Sequence, residues 1–257
     1  MTHFITEALG HGIALLPFTI FLPNPGISIF KLFLAYGSFM FFEGVGMSVC
    51  LHRYFSHKAF KTSRPMTLLL AIIGSLANQK GCLWWAAHHV KHHKYCDRPG
   101  DPHSQIQDGF LFAFIGWVFV YHETEFKYVP KQFLTPELLF LNRFHWLPKT
   151  ILITTMWYGL GYEWAFWGYI LPAFMCVIGS LKFNIKNHPK LHPMVRINPE
   201  KKCNSSDAVF SLSRTANLLG ESNHDHHHAH PTLARRPGTD LPYHMFLRPL
   251  FWAGIIW

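Results

Sequence analysis

The stretch "GESNHDHHHAHP", residues 220–231, carries five histidines within the seven positions from His224 to His230. Short histidine-rich tracts bind metals promiscuously, so the stretch alone is either a functional metal site or a tract with no particular role. The rest of the chain has to decide between these two interpretations.

The composition is unlike that of an ordinary soluble protein. Only 14% of the 257 residues are charged, against roughly 25% in typical soluble domains. Aromatic residues make up 16%, and the 19 histidines outnumber the 14 Asp and Glu residues together. We therefore predict membrane segments flanked by a polar catalytic region. The predicted fold class is an all-α integral membrane protein, with residues 1–257 forming a single domain.

Four apolar stretches are candidates to cross a bilayer, which takes ~20 predominantly apolar residues. The predicted spans are residues 12–30, 31–51, 148–162 and 164–183, paired into two helical hairpins by short breaks. A fifth run, 66–77, is too short and is expected to form an interfacial helix. The alternative is a soluble all-helical bundle with buried helices.

The distribution of basic residues predicts the orientation of these spans. The hairpin tips lack Lys and Arg, whereas the segments that follow each hairpin carry nearly all of them. By the positive-inside tendency, residues 52–147 and 184–257 form a cytosolic cap, and both termini are cytosolic. The soluble alternative is disfavoured because it leaves this asymmetry to coincidence. The N-terminus lacks a signal-peptide layout, so targeting is expected to depend on the internal spans.

The net charge and the cysteines limit the partners and the compartment. A formal charge of +9 fits an anionic membrane surface or an anionic substrate, and we expect no nucleic acid because no binding motif accompanies it. The five cysteines form no CxxC pair. We therefore expect free thiols in a reducing compartment.

The histidines fall into four groups on the predicted cytosolic side. They are "HRYFSH" at 52–57, "HHVKHH" at 88–93, the lone His188 in "NIKNH", and the opening stretch. Residues at i, i+3 and i+4 share one helix face, which groups His89 with 92 and 93, and His224 with 227 and 228. Periodicity leaves open the i, i+4 pairs 88 with 92 and 226 with 230. Residues 52 and 57 converge only if their helix ends or widens.

Eight or nine converging imidazoles are too many for one tetrahedral ion and predict two metal ions. Nearly all-imidazole coordination suits Zn, Cu, Fe or Ni and disfavours Mg or Ca. Redox-inactive zinc gives little reason to assemble so many ligands beside a membrane. Two irons that activate dioxygen give a good one.

The sequence resembles the membrane fatty-acyl desaturases, an integral-membrane di-iron family with three histidine boxes. "LHRYFSH" at 51–57 is similar to the first box, "WWAAHHVKHHKYCDRPGDPHS" at 84–104 to the second with its DPH segment, and the opening stretch to the third. The resemblance runs from about residue 35 to the C-terminus. The chain departs from the family at Ser222-Asn223 before the third box, at Asp225, and between residue 184 and that box, which leaves the substrate open.

The resemblance implies a set of metal-site residues. It selects residues 89 and 227 over the alternatives 88 and 226, and it matches "NIKNH" to a pair in which Asn184 holds a metal-bound water. The implied ligands are His52, His57, His89, His92, His93, His188, His224, His227 and His228. Carboxylates expected to accept from the second ring nitrogen of these ligands are Glu221, Asp101 and Asp225.

The predicted function is oxygen-dependent desaturation of a fatty acyl chain, carried on coenzyme A, an acyl-carrier protein or a lipid. Two Fe²⁺ ions and dioxygen are implied, with electrons from an external ferredoxin or small haem cytochrome. The cationic face expected to attract the carrier, or else anionic lipid, comprises Arg53, Lys80, Lys91 and Lys94. The expected location is a bacterial cell membrane.

Two alternatives to desaturation remain at this point. The first is a related di-iron hydroxylase, or an enzyme that forms a terminal alkene or alkyne (an acetylenase) on an acyl-carrier protein. The second is a membrane metal transporter. A transport pathway needs ionisable residues inside the spans. Only two acidic residues, Glu43 and Glu163, lie in or beside one, which disfavours transport.

Overall fold

The architecture is all-helical throughout the part of the chain that the structure describes. A computed structural model describes residues 24–120, 123–188, 203, 205 and 218–257. Within these ranges no β-strand forms, and the one β-bridge joins Thr62 to Ile256. The main helices are α1 (Ile29–Ser56), α2 (Arg64–Leu76), α3 (Cys82–Tyr95), α4 (Pro136–Arg143), α5 (Leu147–Leu160), α6 (Tyr162–Asn187), α7 (His224–Ala229) and α8 (243–252). Short α-helical or 3₁₀ turns cover Gln105–Asp108, Phe110–Phe114, Gly116–Phe119, Phe126–Tyr128 and Lys131–Phe133.

Two of these helices are long and apolar enough to cross a membrane, by length and composition. They are α1, with 28 residues, and α6, with 26 residues. At 1.5 Å per residue each is roughly 40 Å long, which exceeds the ~30 Å hydrocarbon core of a bilayer. Both begin or end beyond the predicted spans 31–51 and 164–183. As a result, the first histidine box lies on the last turns of α1 rather than after the span.

The other two predicted spans are not present as spanning helices among the described residues. Most of the stretch 12–30 lies outside them, and residues 24–28 are non-helical before Ser28 caps α1. The stretch 148–162 corresponds to α5, which has 14 residues and ends at Gly161 with φ +99°. That helix is roughly 21 Å long, too short to cross unaided. Hydropathy alone did not reveal this glycine stop.

The segment predicted as an interfacial helix is α2, which packs against α1. Ser63 caps its N-terminus, and its buried face includes Leu70 and Ala71. A Cβ on Gly74 would lie 2.9 Å from Leu51 Cδ2, so only glycine permits this close approach. The packing fixes the end of α1 that carries the first histidine box.

A single apolar cluster supports the box-bearing ends of α1 and α3. Fully buried members include Phe55 and Leu51 from α1 and Leu83 from α3. Residue Trp257 is bonded to the segment between α1 and α2: the amide of Lys61 donates to the carbonyl oxygen of Trp257 at 2.7 Å. Histidines on α1 and α3 are thereby held on one rigid base.

Candidate metal centre

The end of α1 is a π-helix, and this brings the first two histidines together. Residues Phe42–Ser56 are π-helical, and the amide of His57 donates to the carbonyl oxygen of His52 at 3.2 Å. An i→i+5 bond widens the helix and sets residue i+5 nearly over residue i. The two imidazole centroids lie 5.0 Å apart. The widening that convergence required is therefore present.

One group of five imidazoles forms around this pair. Their Nε2 atoms face one another, with 2.8 Å between His52 and His227, 2.9 Å between His57 and His89, and 3.0 Å from His93 to both His89 and His227. All five ligand atoms lie within 4.8 Å of one another. We call this set the first histidine group.

Four further imidazoles form a second histidine group. Their Nε2 atoms are separated by 3.2 Å from His92 to His188, 2.9 Å from His188 to His224, and 3.0 Å from His224 to His228. The rings of His93 and His228 stack with centroids 4.2 Å apart, so the two groups are neighbours. Helices α3 and α7 contribute to both groups, because consecutive histidines point to different sides of a helix.

Carboxylates lie behind three of the nine imidazoles. His92 Nδ1 is 3.0 Å from Asp101 Oδ1, His188 Nδ1 is 3.2 Å from Asp97 Oδ2, and His52 Nδ1 is 3.4 Å from Glu221 Oε2. The carboxylates of Asp101 and Asp97 accept the Nδ1 protons of His92 and His188, which leaves the Nε2 atoms of these two rings bare and turned into the second group.

The electrostatics of the two groups fit cations. Burial lowers the pKa of six of these imidazoles well below the usual value, and neighbouring imidazoles lower it further. These six rings are therefore neutral near pH 7. They are His57, His89, His93, His224, His227 and His228. The bare Nε2 atoms of His92 and His188 are 3.2 Å apart, and their lone pairs repel each other unless a cation lies between them. Nine nitrogen donors in two groups fit two ions of the imidazole-binding metals.

The carboxylates behind the histidines are ionised. Burial raises the pKa of Asp101, but the adjacent His92 and His103 lower it more, so that it lies below the usual value. Burial also raises the pKa of Glu221, and His52, Arg53 and Arg236 together bring it below the usual value. The carboxylates of Asp101 and Glu221 are therefore hydrogen-bond acceptors at neutral pH.

Arg236 lies behind His227 and distinguishes that ligand from the others. Its guanidinium Nη1 donates to His227 Nδ1, and the arginine is 1% exposed. Because a guanidinium has only donors, the proton of a neutral His227 lies on Nε2, toward the group. A cation bound at this nitrogen would displace that proton, as metal binding to protein ligands commonly does.

Arg53 does not lie on a cationic surface, contrary to the sequence-based prediction. It is fully buried, and its guanidinium forms two 2.9 Å hydrogen bonds with the carboxylate of Asp240 and a third, at 3.0 Å, with the carbonyl of Leu219. Gly220 permits this arrangement: its φ is +73°, and a Cβ there would lie 2.6 Å from Asp240 Cγ. The arginine thus anchors the third box to α1.

The three predicted carrier lysines have aromatic or acidic neighbours. Lys80 is 7% exposed, with its ammonium 4.3 Å from the centroid of the Trp84 ring, so it is also poorly placed to meet a carrier. Lys91 pairs with Glu125, and Lys94 lies over the rings of Tyr95 and Tyr128. Only Lys91 and Lys94 remain candidates for a carrier-facing surface.

Two other predicted site residues have defined surroundings. Asp225 accepts a 2.8 Å hydrogen bond from Ser205 Oγ. Asn184 lines a cavity beside the second histidine group. The alternative ligand His88 contacts the carbonyl oxygen of Trp84 through Nδ1, and the ring of His226 packs against His230, so neither belongs to a group.

The sequence-based analysis missed several residues of the site, namely Asp97, His103, Arg236 and Asp240. Asp97 and His103 lie within the second-box stretch 84–104, so an acidic residue near a ligand was a usable signal for the first. Arg236 and Asp240 lie beyond the third box, and no local pattern marks them. Burial lowers the pKa of His103 to about 3, with His92 adding to the effect, so the ring stacked on His92 is neutral.

Two cysteines near the second group are paired, contrary to the expectation of free thiols. Cys96 and Cys203 form a disulfide, with 5.2 Å between their Cα atoms and a sequence separation of 107. Sequence spacing could not reveal this pair because the fold creates the proximity. Cys50, Cys82 and Cys176 are free and buried.

The cavity beside the histidines is partly apolar. Its described lining contains five of the nine histidines together with His88, His103 and Glu221. The remaining lining residues are Met47, Gln79, Trp84, Trp85, Trp117, Ser180, Leu181, Phe183 and Asn184. The site therefore combines a cluster of nitrogen donors with a largely aromatic and aliphatic space that suits a hydrocarbon chain.

The fold and this site define a helical protein with two histidine groups beside an apolar cavity. The fatty acid desaturase family matches residues 27–246, and the chain belongs to that family.

Three relatives of this chain are named as an acetylenase or as desaturases. The chain is 32% identical over 212 residues to a hex-5-enoyl-[acyl-carrier protein] acetylenase from Moorena producens, which covers 72% of this chain and 62% of that protein. It is 29% identical over 201 residues to the Delta(9)-fatty-acid desaturase fat-7 of Caenorhabditis elegans, covering 74% and 58%. It is 27% identical over 205 residues to the stearoyl-CoA desaturase of Mesocricetus auratus, covering 74% and 54%. The matched region thus spans little more than half the length of these relatives.

Proposed function

We propose that this protein is an oxygen-dependent fatty-acyl desaturase with a two-iron centre. The observation that carries the proposal is the convergence of nine imidazoles in two groups beside an apolar cavity. Iron is favoured over zinc because removal of hydrogen from unactivated carbons requires redox chemistry that no side chain supplies. Membership of the desaturase family supports the same reaction.

The two histidine groups would hold one ion each. His52, His57, His89, His93 and His227 would bind the first, and His92, His188, His224 and His228 the second. Asn184 would hold a water on the second ion. When bound, the irons would supply the activation of dioxygen that oxidises the carbon–carbon bond. Asp97, Asp101 and Glu221 would hold the ligand rings in one tautomer and orientation.

The overall reaction sets the co-reactants. Dioxygen takes up four electrons, two C–H bonds of the acyl chain supply two of them, and an external one-electron carrier supplies the other two. With two protons from solvent, the products are an alkene and two waters. A ferredoxin or a small haem cytochrome would suit this supply. The protein's own part is to orient the chain in the cavity and to exclude water.

The acyl group would arrive on coenzyme A, an acyl-carrier protein or a lipid. The names of two relatives support coenzyme A and an acyl-carrier protein, since one relative acts on an acyl-carrier-protein substrate and another on stearoyl-CoA. Lys91 and Lys94, at the end of α3, are the cationic residues placed to contact a phosphate or an acidic carrier. Anionic lipid is the competing partner for the same charges.

The membrane arrangement is also a proposal. We infer an integral, multi-pass protein in a bacterial cell membrane, with the histidine groups and both termini on the cytosolic side. Helices α1 and α6 support two crossings. The concentration of Lys and Arg in the segments beyond them supports a cytosolic site.

A specific observation favours alkyne formation as a second candidate. The acetylenase of Moorena producens shares 32% identity with this chain over 212 residues. Such an enzyme performs the same two-hydrogen removal on a carbon pair that is already unsaturated. The metal site would be the same, and only the substrate would differ.

Metal content and product analysis of paired variants test the proposal. We expect about two irons per chain for the parent, by analogy with its two donor groups. His227→Ala should lose iron and abolish product, whereas His226→Ala, one residue away but outside both groups, should retain both. Alkene or alkyne products are then identified from saturated and monounsaturated acyl thioesters with ferredoxin and reductant. One zinc per chain, or equal iron in both variants, would contradict the two-iron site.

A further inference from the structure

Three polar side chains from different parts of the fold meet inside the apolar cavity region. Gln79 Nε2 donates to Ser180 Oγ at 3.0 Å, and Ser180 Oγ donates to Glu43 Oε1 at 3.4 Å. Glu43 is 5% exposed, and its second oxygen has no hydrogen-bond partner among the described residues. We call Gln79, Ser180 and Glu43 the polar floor. A buried carboxyl group without full hydrogen bonding is costly, so its presence calls for a role.

Gln79 and Ser180 line the end of the cavity that is away from the histidines, and Glu43 lies behind them as the hydrogen-bond acceptor of Ser180. Among the described lining residues, Met47 is the one on α1 farthest from His52, and Ser180 is the one on α6 farthest from His188. Met47 lies five residues before His52 in the π-helical part of α1, and Ser180 lies eight residues before His188, which at 1.5 Å per residue is roughly 12 Å along α6. The space between the metal groups and the floor is therefore short.

Packed side chains fill the region behind the floor. Phe42, Tyr169 and Cys176 form a buried cluster there, and Phe39 packs against it. The rings of Phe42 and Tyr169 meet edge to face, with centroids 5.1 Å apart. Cys176 lies one helical turn before Ser180 on α6. The described side chains behind Glu43 are therefore packed against one another.

We propose that the polar floor ends the acyl-chain cavity, so that the enzyme takes a short acyl chain and presents carbons near its methyl end to the histidine groups. The inference rests on the proposed desaturase function and adds a substrate class to it. Met47, Leu181 and Phe183 give the chain an apolar wall. A longer chain must press its methyl end onto the polar side chains of Gln79 and Ser180, which lose water and gain no hydrogen bond from it.

The affinity for chains of different length tests this proposal without turnover. Pantetheine thioesters carry the arm that coenzyme A and acyl-carrier proteins share, so hexanoyl, octanoyl, dodecanoyl and hexadecanoyl pantetheine are suitable probes. Equilibrium dialysis of the iron-loaded protein, without oxygen or reductant, measures binding alone. We expect octanoyl to bind at least about tenfold tighter than dodecanoyl, since one misplaced methylene group costs about this factor. Equal affinity for the two would overturn the proposal.

Variants of the floor locate the cause of the preference. Glu43→Ala should strengthen dodecanoyl binding at least about fivefold relative to octanoyl, because it opens space at the floor. Glu163→Ala is the matched control: this glutamate is half exposed, pairs with Lys31 and lies away from the cavity. Its length preference should equal that of the parent. An unchanged ratio in folded Glu43→Ala protein would refute the role of the floor, and Ser180→Ala gives a second test if Glu43→Ala does not fold.

Aerobic turnover with electron donor separates this inference from the proposed function. Product formed mainly from hexadecanoyl thioester would refute the short cavity and leave the desaturase function intact. Length-selective binding with no alkene or alkyne from any chain would refute the desaturase function and leave the short cavity intact.

Discussion

Removal of one partner of the buried ion pair between Arg53 and Asp240 should destabilise this fold more than most single substitutions. Asp240 is fully buried and accepts two 2.9 Å hydrogen bonds from the Arg53 guanidinium. The same carboxylate accepts from the backbone amides of Arg236, at 2.7 Å, and Tyr243, at 3.2 Å. The change Asp240→Asn keeps the size of the side chain but removes its charge and one acceptor.

The magnitude follows from the burial of the partner. Arg53 is also fully buried, so loss of the Asp240 charge leaves an uncompensated cation inside the protein. Breaking a buried pair in this way costs about 3–5 kcal/mol. With one acceptor oxygen retained, we expect the lower end, about 3 kcal/mol, which is a change of roughly a hundredfold in the folded-to-unfolded ratio. Arg53 also lies 3.5 Å from Glu221, which contacts the candidate ligand His52, so the variant should bind metal less tightly.

Chemical denaturation of the detergent-solubilised, metal-free protein measures this change. The chain supplies a matched control in Arg64 and Glu137, which form a similar two-point ion pair at an exposed position. Glu137→Gln makes the same chemical change where solvent screens the charges, and should leave stability nearly unchanged. If the two substitutions shift the denaturation midpoint equally, the reasoning from burial is wrong.

Two further predictions concern the glycine in the third box and the buried histidines. Gly220→Ala should destabilise the protein far more than Gly109→Ala. Both glycines have positive φ, but of the two only Gly220 has a neighbour, Asp240, where a Cβ would lie. Denaturation midpoints that fall equally would show that backbone strain alone matters. The metal-free protein should be stable near pH 7 and lose stability as the pH falls below the ordinary histidine pKa of about 6.5, since burial lowers the pKa of these histidines and the unfolded chain then binds more protons. Denaturation midpoints between pH 5 and pH 8 check this, and a midpoint independent of pH would contradict it.

Several features of the candidate site follow from local sequence. Spacings of three and four residues predict that His89, His92 and His93 are close together on one helix; the structure has this helix and places His89 and His93 in the first histidine group and His92 in the neighbouring second group. The requirement that the helix widen between His52 and His57 was also visible in the spacing, and the π-helix provides it. These inferences succeeded because they depend only on helix periodicity.

Other inferences failed because they depend on distant contacts or on single backbone stops. The apolar stretch 148–162 does form a helix, Leu147–Leu160, but its 14 residues are fewer than a crossing requires, so the described residues do not show it as a span. Arg53 was expected on the surface, since a charged residue beside a histidine box gives no sign of a partner 187 positions later. The disulfide between Cys96 and Cys203 is hidden from sequence spacing for the same reason.

The sequence by itself determined which residues can supply nitrogen donors and which stretches are apolar, because residue type and helical period are local properties. Only the tertiary structure decided how nine imidazoles divide into two groups, since His52 meets His227 across 175 residues and His92 meets His188 across 96. The fold likewise decided that carboxylates lie behind His52, His92 and His188. These outcomes depend on how α1, α3, α6 and α7 pack together, and packing is a property of the whole chain.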